Sequence, residues 1–260
     1  MNLSGDDVSF LMPVAGAAPF LGDALRSIAG QTIRPAAVVV VADGPTPWNQ
    51  ASIQKCLGPG PALVFVQRAW LGGVARALND GLACIETRYV ARLDSDDVCL
   101  PHRVGVQLAA MEADSRSVVS GSWCETFGNG IEPEKRGGPV TDADCRALLY
   151  RKPPFVHPSV IFSVEAARIV GNYSVDCRYM QDYEFWMRLA MVGHIGNVPE
   201  VLLRYRIHPH QHSSQTKLDH LERARIRRTW LEMALKDGVE WPRSWLARSY
   251  MEFRLLARSL

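Results

Sequence analysis

Three carboxylates, those of Asp94, Asp96 and Asp97, directly follow an apolar run at 89–93. An apolar run of this length is typical of a buried strand, so we expect the carboxylates at its C-terminal end. Like charges about 4 Å apart repel by roughly 4 kcal/mol near a protein surface, and a divalent cation would relieve that repulsion. Mg2+ and Mn2+ prefer oxygen ligands of this kind. The stretch therefore predicts a metal site for a phosphorylated ligand or, alternatively, an acidic turn that caps the next helix.

The order of predicted elements places a further carboxylate at the same edge of a sheet. Val8–Val14 and Val38–Val41 are predicted strands, and apolar spacing predicts a helix over 19–29 between them. A strand, a helix and a strand form a βαβ unit, whose parallel strands end at a common edge. Asp43 follows the second strand. Ligands of open parallel sheets bind outside these strand ends, so Asp43 is either an acceptor for a ligand N–H or a plain turn residue.

The alternation of strands and helices continues to about residue 207. Further strands are predicted at 63–67, 118–124, 159–162 and 201–207, the third of them at a sheet edge, and further helices at 74–86, 101–112, 164–170 and 181–192. Residues 128–139 are rich in Gly and Pro and are predicted to form a mobile loop. Beyond 215 the chain is Arg-rich with apolar residues at helical spacing, and Trp241-Pro242 predicts a break between two helices.

Composition restricts the class of protein. The chain has 260 residues, of which 47% are hydrophobic and 22% charged, as in an ordinary globular protein. A formal net charge of +2 predicts no nucleic-acid partner. The six cysteines include no Cys-x-x-Cys pair, which argues against a zinc ribbon or a redox dithiol. No signal peptide and no long apolar run are found, so we expect a cytoplasmic protein.

These blocks resemble the family 2 glycosyltransferases of the GT-A fold, in the same order and over roughly residues 6–212. The matching blocks are Met12-Pro13-Val14-Ala15-Gly16, Gly30-Gln31-Thr32, Val41-Ala42-Asp43-Gly44-Pro45, the glycine-containing stretch 71–81 and, most specifically, Leu93-Asp94-Ser95-Asp96-Asp97. The resemblance implies an α/β fold of the GT-A nucleotide-sugar-binding type, with a mostly parallel central sheet flanked by helices. It implies a domain at 1–212, with a nucleotide-binding half at about 6–125 and an acceptor half at about 126–212. The change of composition after this domain predicts a C-terminal helical extension at 213–260.

On the donor side, the resemblance assigns separate roles to aspartates that residue type alone cannot distinguish. It implies that Asp43 binds the nucleotide base and that Asp94 lies beside the ribose. Val14, Gly73 and Arg76 complete the expected nucleotide site. Gly73 would allow close approach of the backbone, and Arg76 would contact ribose or phosphate, unless Arg76 is simply a solvated helix residue.

The resemblance also assigns a cofactor, Mn2+ or Mg2+. Asp96 is the implied ligand of the ion that bridges the diphosphate, and Asp97 supports the loop. His208 belongs to a segment similar to the family's Tyr-Arg-x-His and would approach the same ion or the diphosphate. His210 and His212 follow at a spacing of two, but no carboxylate or Cys stands near them to complete a zinc set.

The acceptor side is implied by two further blocks. The stretch 179–186 is similar to the family's Glu-Asp-x-x-x-Trp block, which places the general base at Asp182 and a supporting residue at Trp186. Asp182 could instead be the N-cap of the helix that follows. His157 stands in a block that borders the acceptor site in the family, although a lone His is more often structural.

Together these assignments predict a metal-dependent, inverting glycosyltransferase of the hexosyltransferase type. Its donor would be a nucleoside-diphosphate sugar, with UDP expected, and its acceptor a glycan, a polysaccharide or a lipid-linked sugar. A sugar-phosphate nucleotidyltransferase would carry a basic loop at 14–18, where no Lys or Arg is found. A noncatalytic nucleotide-sugar-binding subunit is the other alternative, because Ala42 and Gln181 replace acidic residues. The Arg-rich C-terminal helices would form a solvated face, a homodimer contact or a peripheral contact with the inner face of a membrane.

Overall fold

The computed structural model describes residues 4–209 and 220–238. The strands are β1 Val8–Val14, β2 Ala37–Ala42, β3 Ala62–Gln67, β4 Tyr89–Arg92, β5 Val98–Cys99, β6 Ser117–Phe127, β7 Lys135–Arg136, β8 Ile161–Ser163 and β9 His194–Arg206. The helices are α1 Leu21–Ala29, α2 Gln50–Leu57, α3 Val74–Leu82, α4 Arg103–Ala113, α5 Asp142–Leu149, α6 Val164–Ile169, α7 Gln181–Ala190 and α8 His220–Lys236, and short 3-10 turns occupy Gly5–Asp7 and His157–Ser159.

All the strands of the described residues belong to one sheet, in the order β3-β2-β1-β4-β8-β6-β9-β5, with β7 paired to β6. The long pairings are parallel, namely β1 with β2, β2 with β3, β1 with β4 and β6 with β9. The predicted α/β class with a mostly parallel sheet is confirmed. The first four strands follow the predicted βαβ order, so their carboxyl ends share one edge.

Helices cover both faces of this parallel part, which explains its uninterrupted apolar strands. Val39 and Val41 belong to the same apolar cluster as Leu78 of α3. Val38 and Val40 belong to a second cluster, together with Leu25 of α1. Because alternate side chains of a strand point to opposite faces, every position of β2 had to be apolar.

The prediction that 159–162 forms an edge strand is wrong. β8 lies inside the sheet, antiparallel to β4 on one side and to β6 on the other. The prolines that suggested an edge lie before the strand: Pro158 belongs to the 3-10 turn, which leaves the N–H groups of 161–163 available for pairing. Ile161 and Phe162 are fully buried, as an interior position requires.

The predicted loop at 128–139 is not irregular throughout, because it contains β7, whose Lys135 pairs with Glu125 of β6. The prediction also placed the start of the last strand at 201, whereas β9 begins at His194. Its pairing with β6 shifts register between Val198 and Val201. Pro199 lies in this bulge and interrupts the strand pattern in the sequence, since proline has no N–H to donate.

Helix α8 packs on α7, and Ile226, Trp230 and Met233 of α8 belong to the same apolar cluster as α7. None of the described helices is both long and apolar enough to cross a bilayer. His210, His212 and the predicted break at Trp241-Pro242 lie outside the described residues. The predicted boundary at 212 does too, so the division into 1–212 and 213–260 stays a prediction.

Candidate active site

The ends of β1, β2 and β4 bring the predicted donor-side residues together. Val14 pairs with Ala42, so Asp43 follows directly at the end of β2. Leu11 pairs with Arg92, which places Asp94 level with the end of β1. The edge predicted from the βαβ order therefore exists, and carboxylates occupy it.

The acidic cluster Asp94–Asp97 converges on one point. Ligand oxygens of Asp94, Asp96 and Asp97 lie within 4.8 Å of one another. Burial and the charge of Asp94 raise the pKa of Asp96, and they raise the pKa of Asp97 well above its ordinary value. Asp94 thus makes Asp96 and Asp97 harder to ionise, and Asp96 adds to this effect on Asp97, as expected where a cation would relieve the repulsion.

The donor atoms of the acidic cluster fit a hard divalent ion. Asp97 is only 1% exposed, yet its Oδ2 has no hydrogen-bond partner among the described residues. A buried carboxylate oxygen without a partner is costly unless a cation satisfies it. Asp96 Oδ2 lies 2.9 Å from His208 Nε2, so the two residues assigned to the ion by resemblance are in contact.

Strand β9 holds the acidic cluster from its far side through Arg206. The Arg206 N–H donates to Asp97 Oδ1 at 2.8 Å, and its Nε donates to the Asp96 carbonyl oxygen at 2.7 Å. Its guanidinium carbon lies 4.1 Å from the ring centre of Phe20 and 4.4 Å from that of Phe127. Arg206 is the arginine of the segment Tyr205-Arg206-Ile207-His208, which is similar to the family's Tyr-Arg-x-His, but that similarity did not reveal this support, which depends on pairing between distant strands.

A buried arginine, Arg92, lies behind the cluster, and sequence reasoning missed it. Arg92 is 2% exposed and forms an ion pair with Asp94. Its charge also acts on the pKa values of Asp182 and His157, so both groups lie near it. The available signal was an Arg inside an otherwise apolar strand, immediately before the acidic residues, because a buried guanidinium needs a partner.

Asp182 lies in the first turn of α7 and is half-buried. The N-cap is Met180, so the alternative that Asp182 caps this helix is wrong. Its Oδ1 accepts the Tyr183 N–H at 2.8 Å. Burial raises the pKa of Asp182 to about 6, against the opposing effects of the Tyr183 hydrogen bond and the charge of Arg92. A carboxylate with a pKa near neutrality is suited to accept a proton.

His157, like Asp182, is affected by the charge of Arg92, and Trp186 packs against it. His157 Nε2 is 3.0 Å from the Tyr173 hydroxyl, and burial with the charge of Arg92 lowers the pKa of His157 well below its ordinary value. The imidazole is therefore neutral. Trp186 is fully buried, and its ring packs edge-on against His157 with centres 5.7 Å apart. Trp186 therefore supports His157 from the core and has no exposed surface with which to contact an acceptor.

Asp43 holds the loop that begins α3. Its Oδ1 accepts the Gly72 N–H and its Oδ2 accepts the Gly73 N–H, both at 2.8 Å. Gly73 is the N-cap of α3 at φ +90°, and open space surrounds the position where a side chain would begin. Arg76 is exposed in the first turn of α3. Arg68, which sequence reasoning missed, lies 3.5 Å from Asp43 Oδ1.

Comparison with known proteins gives similarity in sequence. The family model described as glycosyl transferase family 2 matches residues 9–167. The amylovoran biosynthesis glycosyltransferase AmsE of Erwinia amylovora is 32% identical over 187 residues, which cover 72% of this chain and 70% of AmsE. The UDP-Gal:alpha-D-GlcNAc-diphosphoundecaprenol beta-1,3-galactosyltransferase of Escherichia coli is 28% identical over 194 residues, covering 72% of this chain and 68% of that enzyme.

Solved structures share the fold at low sequence identity. S. aureus TarS 1–349 in complex with UDP-GlcNAc superposes with a TM-score of 0.70 at 16% identity, covering 94% of this chain and 69% of TarS 1–349. The mannosyltransferase PcManGT of Pyrobaculum calidifontis, in complex with GDP-Man and Mn2+, gives a TM-score of 0.63 at 16% identity, covering 99% of this chain and 87% of that protein. The sheet and its flanking helices are thus those of GT-A transferases.

Proposed function

Because this chain belongs to glycosyl transferase family 2, we propose that it moves a sugar from a UDP-sugar to an acceptor hydroxyl, with inversion and with Asp182 as the general base. Family membership makes it a glycosyltransferase rather than a nucleotidyltransferase or a binding subunit. The observation that carries the finer proposal is that the separate carboxylate of Asp182 lies close enough to Asp94 and Arg92 for their charges to act on its pKa. This proximity supports a site in which the donor-side cluster and a proton acceptor act on the same bond.

The nucleotide is proposed to bind across the ends of β1 and β2 and the start of α3. Val14, Asp43 and Asp94 border this edge, and Gly73 leaves space for a ligand at the head of α3. N–H groups at the start of a helix favour phosphate or other anions. Arg76 adds a positive charge beside them. UDP is favoured by the UDP-Gal donor named for the E. coli relative and by the UDP-GlcNAc complex of TarS.

The divalent ion, Mn2+ or Mg2+, is proposed to bind Asp96 with His208 beside it, and Asp94 and Asp97 complete the acidic surroundings. A bound divalent ion would offset the negative charge that builds on the departing diphosphate. The unpartnered oxygen of Asp97 and the convergence of three carboxylates support this assignment. The Mn2+ in the PcManGT complex is consistent with it.

In the proposed reaction, Asp182 accepts the proton of the acceptor hydroxyl while that oxygen forms a bond to the anomeric carbon. The bond from that carbon to the diphosphate breaks on the opposite face, so configuration inverts. Neutral His157, held by Tyr173, offers a ring nitrogen for orienting the acceptor. Arg92 opposes protonation of Asp182 and keeps the base available near neutral pH.

The acceptor is proposed to be a glycan, a polysaccharide or a lipid-linked sugar. The acceptor named for the E. coli relative, a diphosphoundecaprenol-linked sugar, supports the last of these. A lipid-linked acceptor would fit peripheral attachment to a membrane through the Arg-rich C-terminal segment. The alternative is that the same helices form a homodimer contact.

The decisive experiment is Asp182→Asn. The amide is similar in size but cannot accept the proton, so transfer to acceptor should fall by about 10²- to 10⁴-fold. UDP-sugar binding, measured by calorimetry with Mn2+, should persist. Wild-type turnover by this variant would remove Asp182 from the role of base.

A further inference from the structure

The start of α7, which carries Asp182, is capped by a residue from another helix. The N–H groups of Tyr179 and Met180 both donate to Oε1 of Glu222 in α8, at 2.7 and 2.6 Å. Met180 is the N-cap of α7, yet its side chain makes no capping hydrogen bond. Glu222 is fully buried. Of the N–H groups that a helix leaves unsatisfied at its start, that of the N-cap Met180 is thus met by a residue 42 positions later in the chain, and the same oxygen holds the N–H of Tyr179 just before the helix.

A second polar contact joins the same two helices beyond Asp182. Glu184 of α7 is fully buried, and its Oε1 accepts from Arg225 Nε at 3.0 Å and from the Thr229 hydroxyl at 2.9 Å. Arg188 pairs with the same carboxylate from within α7. A buried carboxylate is stable only when partners of this kind surround it. α8 therefore has a fixed position along α7.

The two contacts bracket Asp182 in the sequence. Glu222 binds the backbone at 179 and 180, and Arg225 and Thr229 bind the side chain at 184. Asp182 lies between them, and its carboxylate is held only by the adjacent Tyr183 N–H among the hydrogen bonds of the described residues. A shift of the first turn of α7 would therefore move this carboxylate relative to Arg92 and the acceptor.

We infer that Glu222 is a positioning residue for the proton acceptor, and that α8 is part of the catalytic unit. This inference rests on the proposed role of Asp182. Glu222 acts by accepting hydrogen bonds from the N–H groups of Tyr179 and Met180. The position of α7 therefore depends on the distance from the Glu222 backbone to its acceptor oxygen. Misplacement of a reacting group by about 1 Å can cost on the order of 10²-fold in rate.

Two substitutions at Glu222 distinguish an effect of its hydrogen bonds from an effect of its negative charge. Glu222→Gln keeps an oxygen acceptor at the same reach and removes the charge, so kcat should stay within about threefold of wild type because the hydrogen bonds persist. Glu222→Asp keeps the charge but withdraws the acceptor by one methylene. Here kcat should fall by about tenfold or more through misplacement of the base, while KM for the UDP-sugar is unchanged.

Two controls distinguish a loss of kcat from a loss of folded protein. Glu232→Gln changes an exposed carboxylate on the same helix and should leave kcat at the wild-type value. The fraction of each variant that binds UDP with Mn2+, measured by calorimetry, normalises kcat to folded protein. Normalised kcat of Glu222→Asp equal to wild type would overturn the inference and assign Glu222 to stability alone, and so would a loss in Glu222→Gln equal to that in Glu222→Asp.

The outcomes also separate this inference from the proposed function. Asp182→Asn is assayed in parallel, and wild-type turnover by that variant would refute the base itself, whatever Glu222 does. An inactive Asp182→Asn together with a fully active Glu222→Asp would refute only the positioning role.

Discussion

At the scale of single residues, the site depends on charges that regulate one another. Burial and the charge of Asp94 raise the pKa values of Asp96 and Asp97, and burial raises that of Asp182 to about 6. Arg92 opposes this for Asp97 and Asp182. One buried guanidinium therefore affects both the donor side and the acceptor side.

The pKa of Asp182 predicts the acidic limb of the pH–rate profile. The base works only when ionised, so kcat/KM should be constant well above pH 6 and fall about tenfold per pH unit well below it. Arg92→Met removes a charge that lowers this pKa, so the limb should move to higher pH. Arg88→Met, a change at an exposed arginine of the preceding turn, should leave it unmoved. An unchanged limb in Arg92→Met would contradict the coupling.

Binding of a metal ion to the acidic cluster can be measured through its effect on thermal stability. Because the folded pKa values of Asp96 and Asp97 are raised, ionising them costs stability, which is lost as pH rises through those values. A divalent ion should recover that loss, so Mn2+ should raise Tm more at pH 7.5 than at pH 5.

Two variants, each of which replaces a carboxylate by the corresponding amide, test where the ion binds. Asp96→Asn should reduce the Mn2+-induced rise in Tm, whereas Glu165→Gln, at an exposed carboxylate of α6, should keep it. A rise of equal size at both pH values and in both variants would exclude the acidic cluster as the ion site.

The sequence predicted the acidic cluster and, through the family resemblance, its contact residue His208, but not the supporting residues Arg92 and Arg206. Asp94, Asp96 and Asp97 lie in one loop after one strand, so local pattern alone places them together. Arg206 meets Asp97 across 109 positions, and Tyr173 meets His157 through a turn with no readable periodicity. Contacts of this kind depend on strand pairing, which a single sequence does not specify.

At the scale of elements, a strong apolar pattern was sufficient to predict a strand or a helix from the sequence, and a weak pattern was not. β1 was predicted with its observed bounds, and β2 and β3 within one residue at each end, because both of their faces are apolar. Helices α2 and α5 were missed because few of their residues are buried. Both nevertheless begin with capping side chains, those of Asn49 and Thr141, which were the available signal.

Close packing of α3 on the sheet makes a testable element-scale prediction. A methyl group on Gly81 would lie 2.3 Å from Leu11 Cδ1 and 2.9 Å from Val41 Cγ2. Gly81→Ala should therefore lower the free energy of unfolding by about 1–3 kcal/mol, in spite of the better helix propensity of Ala. Urea denaturation measures this.

Gly22→Ala in α1 is the matched control. The nearest atoms to its new methyl group belong to the exposed, flexible Arg26 guanidinium, at 3.2 Å or more. It should leave stability unchanged or raise it by up to about 1 kcal/mol. Equal midpoints for the two variants would contradict the close approach of α3.

At the scale of the whole molecule, the sheet crosses the predicted boundary between nucleotide and acceptor halves. β4 pairs with β8, and β5 pairs with β9, so strands of the first half are hydrogen-bonded to strands of the second. We expect a single cooperative unfolding transition. Denaturation followed by far-UV circular dichroism and by tryptophan fluorescence should coincide. Two separated transitions would show that the halves fold independently.

The support that β9 gives to the acidic loop also has a consequence for synthesis of the chain on the ribosome. Asp97 emerges 109 residues before Arg206. At about 5–20 residues per second, the nascent loop waits roughly 5–20 s for that partner. During this interval three carboxylates are present without the strand that orients them. Truncated chains released from the ribosome before Arg206 is added would therefore contain the acidic motif but lack the residue that holds Asp97 in place.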